Sequence, residues 1–312
     1  MYRSLPPSSE TTAGEKQKRF FGFEEESRKV EEREKFLWRN SLQRDLKSTS
    51  AWSRSWRDEG LAMNSESIER NGGYQERSYR NLISDPGLVA FQVIVKETDL
   101  FIKATQDLRE SARNSVIHHR YQLERYISHH PEFFRSLIPL AADEFAPPIV
   151  QDMIRASHRA EVGPMAAIAG AMAEAVGKDL LGHSAEVIVE NGGDIFIHSS
   201  RELQVGIYAG HSPLSLRVGL RIPAAKHGWG VCTSSGTVGP SLSFGRADAV
   251  CVLALSTSLA DAAATAVGNA VGSSADLPKG LEKAKKIEGL TGVVIIIGEK
   301  LGAWGDVELT RM

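Results

Sequence analysis

Three short stretches of this chain join small residues to polar groups that could hold a ligand. The first is Asn191-Gly192-Gly193-Asp194. Paired glycines allow positive φ and let a ligand approach the main chain, while Asn191 and Asp194 present an amide and a carboxylate at the same place. The plainer alternative is a hairpin turn, because Asn-Gly between strand-like runs is a strong hairpin signal. The second is Thr233-Ser234-Ser235-Gly236-Thr237, whose hydroxyl and N–H groups could face a phosphate. It lacks the GxxxxGK[ST] spacing of a P-loop and is also compatible with an ordinary Ser/Gly loop. The third is Ala260-Asp261-Ala262-Ala263-Ala264-Thr265. A spacing of i,i+4 sets the Asp261 carboxylate and the Thr265 hydroxyl on one helical face, an oxygen pair that suits Mg²⁺. Here the alternative is that Asp261 only favours the positive end of its own helix.

These stretches need a frame. From Tyr74 onward apolar residues recur with regular periods. Val89, Phe91, Val93 and Val95 alternate as a half-buried strand does, Leu100-Phe101-Ile102 completes a hairpin, and 107–128 reads as an amphipathic helix stopped by Pro131. His118, His119, His129 and His130 lie on that helix as adjacent pairs whose side chains diverge, which reads as a solvated face. A helix over 148–160 precedes a small-residue helix over 165–176. Strands follow at 185–189, 194–198, 203–208 and 216–222, then an apolar strand at 249–255, an Ala-rich helix over 259–271, and a closing pair of 292–297 with 307–309. The short connections favour antiparallel pairing over βαβ units, so the expected fold is an α+β sandwich of largely antiparallel sheet with packed helices.

Residues 1–73 are of another kind. Rich in Ser, Glu, Arg and Lys, with runs such as Glu31-Glu32-Arg33-Glu34-Lys35, they bury too little apolar surface to offset the entropy of ordering. The expected organisation is a charged, disordered extension over 1–73 and one domain over 74–312, with Met63 close enough to the boundary to serve as an alternative start. Through Gly73 there are 14 Lys and Arg against 13 Asp and Glu, and 23 against 26 beyond it, so neither part offers the basic surface of a nucleic-acid binder. No stretch approaches the ~20 apolar residues of a spanning helix and no apolar signal region opens the chain, which predicts a cytoplasmic protein. Cys232 and Cys251 lack CxxC or Cys/His spacing and read as reduced, buried thiols.

Taken in order, the small-residue helix, NGGD, TSSG and the ADAAAT helix resemble the ApbE-type FAD:protein FMN transferases. The resemblance covers 74–312 and is nearest to an uncharacterised branch of that superfamily, through Val162-Gly163-Pro164-Met165-Ala166-Ala167 and Ser241-Leu242-Ser243-Phe244-Gly245-Arg246-Ala247-Asp248. It implies an ApbE-like, T-fold-like sandwich that binds FAD or FMN with Mg²⁺. By this likeness Asn191, Gly192, Gly193 and Asp194 border the flavin nucleotide, and Thr233, Ser234, Ser235 and Gly236 adjoin the pyrophosphate. Asp261 and Thr265 become metal ligands, with a backbone carbonyl near Gly163 as a third. One departure stands out. The transferases follow their TSG loop with His-x-x-Asp-Pro, whereas this chain carries Gly239-Pro240-Ser241-Leu242-Ser243-Phe244, in which Ser241 and Ser243 could still donate to a phosphate. Two functions are therefore expected in competition: a Mg²⁺-dependent, FMN-transferase-like enzyme acting on a flavin dinucleotide or a related pyrophosphate, with a protein as possible acceptor, and a flavin or nucleotide binder without transfer chemistry.

Overall fold

The computed structural model describes residues 87–237 and 244–312. The expected extension over 1–73 and the pair Ser241 and Ser243 lie outside these residues. Eight strands form one antiparallel sheet in the order β1 (Val89–Val95), β2 (Thr98–Ala104), β3 (Val187–Asn191), β4 (Asp194–Ser199), β7 (Ala225–Ser234), β8 (Ala249–Ala254), β9 (Leu290–Ile297) and β10 (Lys300–Gly305). A second antiparallel sheet orders β11 (Glu308–Arg311), β6 (Val218–Ile222) and β5 (Leu203–Gly206). The helices are α1 (Arg109–His129), α2 (Pro131–Arg135), α3 (Pro148–Ala160), α4 (Ile168–Leu180), α5 (Thr257–Asn269) and α6 (Leu277–Lys285). This is the α+β sandwich expected from the sequence.

Side-chain alternation assigns the two faces of the large sheet. Val189, Phe196, Val252, Val293 and Ile295 share one core cluster with the helices, while Ile188, Ile197, Leu253, Val294 and Ile296 share another with Val205, Leu220 and Ile222 of the small sheet. Strands β8 and β9 are thus covered on both sides. That is why they read as unbroken apolar runs, each fully buried Val or Ile contributing roughly 1.5–3 kcal/mol.

Small residues let α4 and α5 approach each other and the sheet. A Cβ on Gly170 would lie 2.4 Å from the Thr257 carbonyl oxygen, and one on Gly177 would lie 2.2 Å from the Phe196 ring. Two expectations need correction. The small-residue helix begins as a separate 3-10 turn, Pro164–Ala167, before α4 proper. The closing strand pair is β9 with β10, Trp304 opposite Val293, whereas 307–309 feeds β11 in the other sheet. Strand β10 is hard to see in sequence because Gly302 and Gly305 interrupt it and, as an edge strand, it is only partly buried.

Candidate functional site

Strand pairing makes one patch of the first two motifs. Asn191 and Asp194 face each other in register across the β3–β4 hairpin, and Gly192 and Gly193 take φ of +68° and +107°. These positive values are what a tight two-residue hairpin demands, so the segment is a turn whatever else it does. On one side Gly193 N–H donates to Glu190 Oε1 at 2.9 Å. On the other, β4 lies against β7 with Asp194 opposite Cys232, and Thr233 N–H donates to the Gly193 carbonyl at 3.2 Å. Thr233 and Ser234 end β7. Past them Thr237 N–H donates to Ser235 Oγ at 3.1 Å and Gly236 N–H to the Ala247 carbonyl at 2.9 Å, which fixes the shape of the loop.

The third motif arrives from the helical layer. Asp261 occupies the second turn of α5, whose N-cap is Ser256, so it does not cap its own helix. Its carboxylate crosses to α4 instead, where Gly170 N–H donates to Oδ2 at 2.8 Å and Ala169 N–H also contributes. Asn191 Nδ2 donates to the Ala169 carbonyl at 3.1 Å, so the hairpin turn and Asp261 both hold the start of α4. Thr265 is half-buried one turn further along α5. Gly163 precedes the 3-10 turn, and its carbonyl already accepts from Ala166 N–H at 3.1 Å. It is also pressed so closely on Ser136 that a Cβ there would lie 1.8 Å from the Ser136 carbonyl oxygen.

Electrostatics single out the carboxylates. Asp194 is buried, and desolvation pushes its carboxyl well above the ordinary range, reinforced by the charge of Asp261. Asp261 is half-buried and is pushed up to about 7, chiefly by desolvation, against the opposing pull of the Gly170 and Ala169 N–H groups. Like charges brought together out of water favour retention of a proton. Cys232 donates to the Thr257 carbonyl at 3.4 Å, and burial, then Asp194 and Asp261, push its thiol well above the ordinary value, so it is no thiolate nucleophile. Thr257 Oγ1 is buried without a hydrogen-bond partner.

A divalent cation suits this donor set. Mg²⁺ prefers hard oxygens and takes one or two carboxylates, leaving the rest of its shell to water and ligand phosphate. Among the described residues no three His, Cys, Asp or Glu side chains form a complete metal cage. The histidine pairs on α1 do not form one either, and His119 is not a solvated side chain as expected, since its Nε2 lies 2.9 Å from Asp179 Oδ2.

Two residues of this neighbourhood escaped the sequence reading. Cys232 has no motif spacing to reveal its place beside Asp194. Glu174 of α4 accepts from Ser258 N–H at 3.0 Å, Ser258 Oγ at 3.1 Å and Ser256 Oγ at 3.2 Å through one oxygen, and from Lys178 Nζ at 2.7 Å through the other. Helices α4 and α5 therefore cap each other: Asp261 receives the first turn of α4 and Glu174 the first turn of α5. An acidic residue within an Ala-rich helix carries no sequence sign of this.

No helix among the described residues is long and apolar enough to cross a membrane. The chain is similar to UPF0280 proteins of Methanococcus species. It is 44% identical to that of Methanococcus vannielii over 226 residues, covering 70% of this chain and 92% of the relative. It is 42% identical to that of Methanococcus aeolicus over 222 residues, covering 69% and 90%. Among solved structures, the apo form of the flavinyl transferase ApbE from Pseudomonas stutzeri aligns over 70% of this chain and 93% of that one, with 16% identity and a TM-score of 0.46. A likeness at that level assigns no role to any residue. A family model described as AbpE bacteria matches residues 80–303. With that span matched, the chain belongs to this family.

Proposed function

We propose that the chain binds a flavin nucleotide, FAD or FMN, through its phosphates, with Mg²⁺ held at Asp261. The observation that carries this reading is the convergence of the NGGD turn, the TSSG loop and Asp261. Two carboxylates meet there, with no cationic side chain bonded to Asp261 among the described residues, beside a loop of hydroxyl and N–H groups. Such a place repels an anion on its own and accepts one together with a divalent cation. Asp261 and Asp194 would hold the metal, and Thr265 lies on the same face of α5 one turn away. The carbonyl of Gly163 is the least suited of the expected ligands, because it is already engaged. Bound Mg²⁺ would neutralise phosphate charge and polarise a phosphoanhydride bond. The chain itself would cradle phosphate with Thr233, Ser234, Ser235 and Gly236, and would fix the hairpin by the Asn191 bond to Ala169.

Transfer of FMN to a hydroxyl of an acceptor protein is the stronger form of the proposal. It requires a base to take the hydroxyl proton as AMP leaves. Stretch 239–244 replaces the His-x-x-Asp-Pro of the transferases, and the side chains gathered here are carboxylates, a thiol and hydroxyls. This favours binding without transfer as the second reading. The absorbance spectrum of the purified full chain, followed by mass spectrometry of whatever it releases on denaturation, tests the first claim. Flavin release and Mg²⁺-dependent rebinding are expected; a colourless protein that takes up neither FAD nor FMN with Mg²⁺ ends the flavin reading. Appearance of AMP on incubation with FAD, Mg²⁺ and a threonine-containing peptide would decide for transfer over binding alone.

A further inference from the structure

The hydroxyl loop has donors but no charge of its own, and the carboxylates beside it are of the wrong sign for a phosphate. A cation that can compensate stands in the segment packed against the loop. Residues 244–248 run between the end of α5 and the loop. Phe244 N–H donates to Asn269 Oδ1 at 2.9 Å and Arg246 N–H to the Val271 carbonyl at 2.8 Å. A Cβ on Gly245 would lie 1.9 Å from the Gly268 carbonyl oxygen, and one on Gly236 would lie 2.3 Å from the Gly245 carbonyl oxygen and 3.1 Å from the Arg246 α-carbon. Asp248 completes the frame: its Oδ1 accepts from the Thr237 hydroxyl at 3.1 Å and its Oδ2 from Gly298 N–H at 2.7 Å. The main chain of Arg246 is thus fixed directly against Gly236, while its side chain is exposed and takes part in no ion pair among the described residues.

An exposed arginine whose α-carbon packs against a hydroxyl-rich loop, with no ion pair among the described residues, is suited to two phosphate oxygens at once, by its planar fork of donors. We propose that Arg246 is a ligand-contacting residue of this site, which binds the phosphate or pyrophosphate portion of the ligand together with the 233–237 loop. Gly236 and Gly245 give the two main chains their close approach, and Asp248 is the positioning residue that holds Thr237 and hence the loop's form. The inference rests on the phosphate-binding part of the reading above, but not on the flavin.

The test uses the full chain as parent, Arg246→Ala and Arg246→Lys, titrated with FAD, riboflavin and inorganic pyrophosphate in the presence of Mg²⁺. Because the exposed Arg246 side chain makes no ion pair among the described residues, melting temperatures should match the parent. Arg246→Ala should weaken FAD and pyrophosphate by about ten- to a hundredfold, the scale of a lost charge-assisted bond, and leave riboflavin, which has no phosphate, unchanged. Arg246→Lys should recover part of the loss, since it keeps the charge but not the fork. Equal weakening of FAD and riboflavin, or no weakening of either FAD or pyrophosphate, overturns the proposal. If the parent binds pyrophosphate in an Arg246-dependent way but no flavin, the inference stands and the flavin reading falls. If the parent binds FAD and Asp261→Asn abolishes this while Arg246→Ala does not weaken it, the flavin reading stands and the inference falls. A parent that binds neither flavin nor pyrophosphate overturns both.

Discussion

Glu174 and Asp261 make the same kind of contact at neighbouring places in the crossing of α4 and α5, yet their charges fare differently. Each is a carboxylate that reaches from one helix to the first turn of the other. Burial is the largest influence on Glu174 and pushes it upward, but Lys178 and the Ser258 N–H outweigh it and hold its carboxyl below the ordinary range. Asp261 has the N–H groups of Gly170 and Ala169 but, among the described residues, no cation, and it is pushed up to about 7. The difference teaches how to tell a structural acid from a site. An acid supplied with its counterion keeps its charge and finishes the fold, whereas one beside a second buried acid is pushed toward keeping a proton, which makes it a candidate for the site proposed above.

The largest effect should come from the satisfied acid. Glu174→Ala leaves the Ser258 N–H and hydroxyl without their acceptor in a buried place, and should cost about 2–4 kcal/mol of stability by denaturant titration. A loss within experimental error would mean that the contact between the helices does not depend on it. Gly170→Ala comes next. Its Cβ would meet the Thr257 carbonyl at 2.4 Å and the Asp261 Cβ at 2.8 Å, so α4 and α5 must part, at about 1–3 kcal/mol. Because the displaced atoms include Asp261, Mg²⁺-dependent ligand affinity should fall as well, and a variant that is less stable but binds as the parent does would separate the crossing from the site.

Asp261→Asn should do the reverse of Glu174→Ala. The amide oxygen can still accept from Gly170, so stability at neutral pH should hold or rise. Mg²⁺-dependent FAD binding should fall about tenfold or more, as loss of even an outer partner of a metal ligand costs that much. The two acids also predict opposite pH limbs. Asp261 holds its proton to about 7 folded, against an ordinary value of 3.8, so the unfolded chain ionises first. Its contribution is whole below about 3.8 and is lost as pH rises through about 7. Glu174 is depressed below its ordinary 4.5, so its contribution is present above that value and lost as pH falls through the lower folded value. Denaturant titrations from pH 3 to 8 without Mg²⁺ should show the limb toward neutral pH made shallower in Asp261→Asn, its remainder coming from the raised carboxyl of Asp194, and the acid limb flattened in Glu174→Gln. Saturating Mg²⁺ should raise the parent's stability near pH 7 and leave that of Asp261→Asn unchanged.

Local signals revealed most of this frame and half of its chemistry. The NGGD turn, the burial of β8 and β9, and the helical face of Asp261 and Thr265 all follow from neighbours within a few residues. What sequence could not supply are bonds over long separations. Gly170 N–H and Asp261 are 91 residues apart, and Ser258 N–H and Glu174 are 84 apart, so neither cap leaves a local pattern. Strand β7 is absent from the expected strands altogether, because Ala225-Lys226-His227-Gly228 does not alternate as a half-buried strand should and Thr233-Ser234 at its end reads as part of the hydroxyl loop. The place of Arg246 depends on two glycines, Gly236 and Gly245, that meet only in space.

The smallest effect concerns the two thiols, which sit on opposite faces of the same sheet. Cys232 belongs to the helix-side core beside Asp194, and Cys251 to the core under the small sheet, where burial pushes its thiol up to about 11. Each loses about the same volume as Ala, so the stability costs should be similar, on the order of 1 kcal/mol. Their effects on the site should differ. The Cys232 thiol lies opposite Asp194 and, when its one hydrogen turns from the Thr257 carbonyl to that carboxylate, draws the carboxyl downward against the stronger push of burial and of Asp261. Removing it should make Asp194 keep its proton more firmly, so a cation competes less well at pH 7. Mg²⁺ affinity, read by calorimetry, should therefore fall by a few-fold in Cys232→Ala and stay at the parent's value in Cys251→Ala. The gap should close at higher pH, where the proton leaves unaided. Equal losses in both variants, or none in either at pH 7, would remove Asp194 from the cation site and leave Asp261 alone in it.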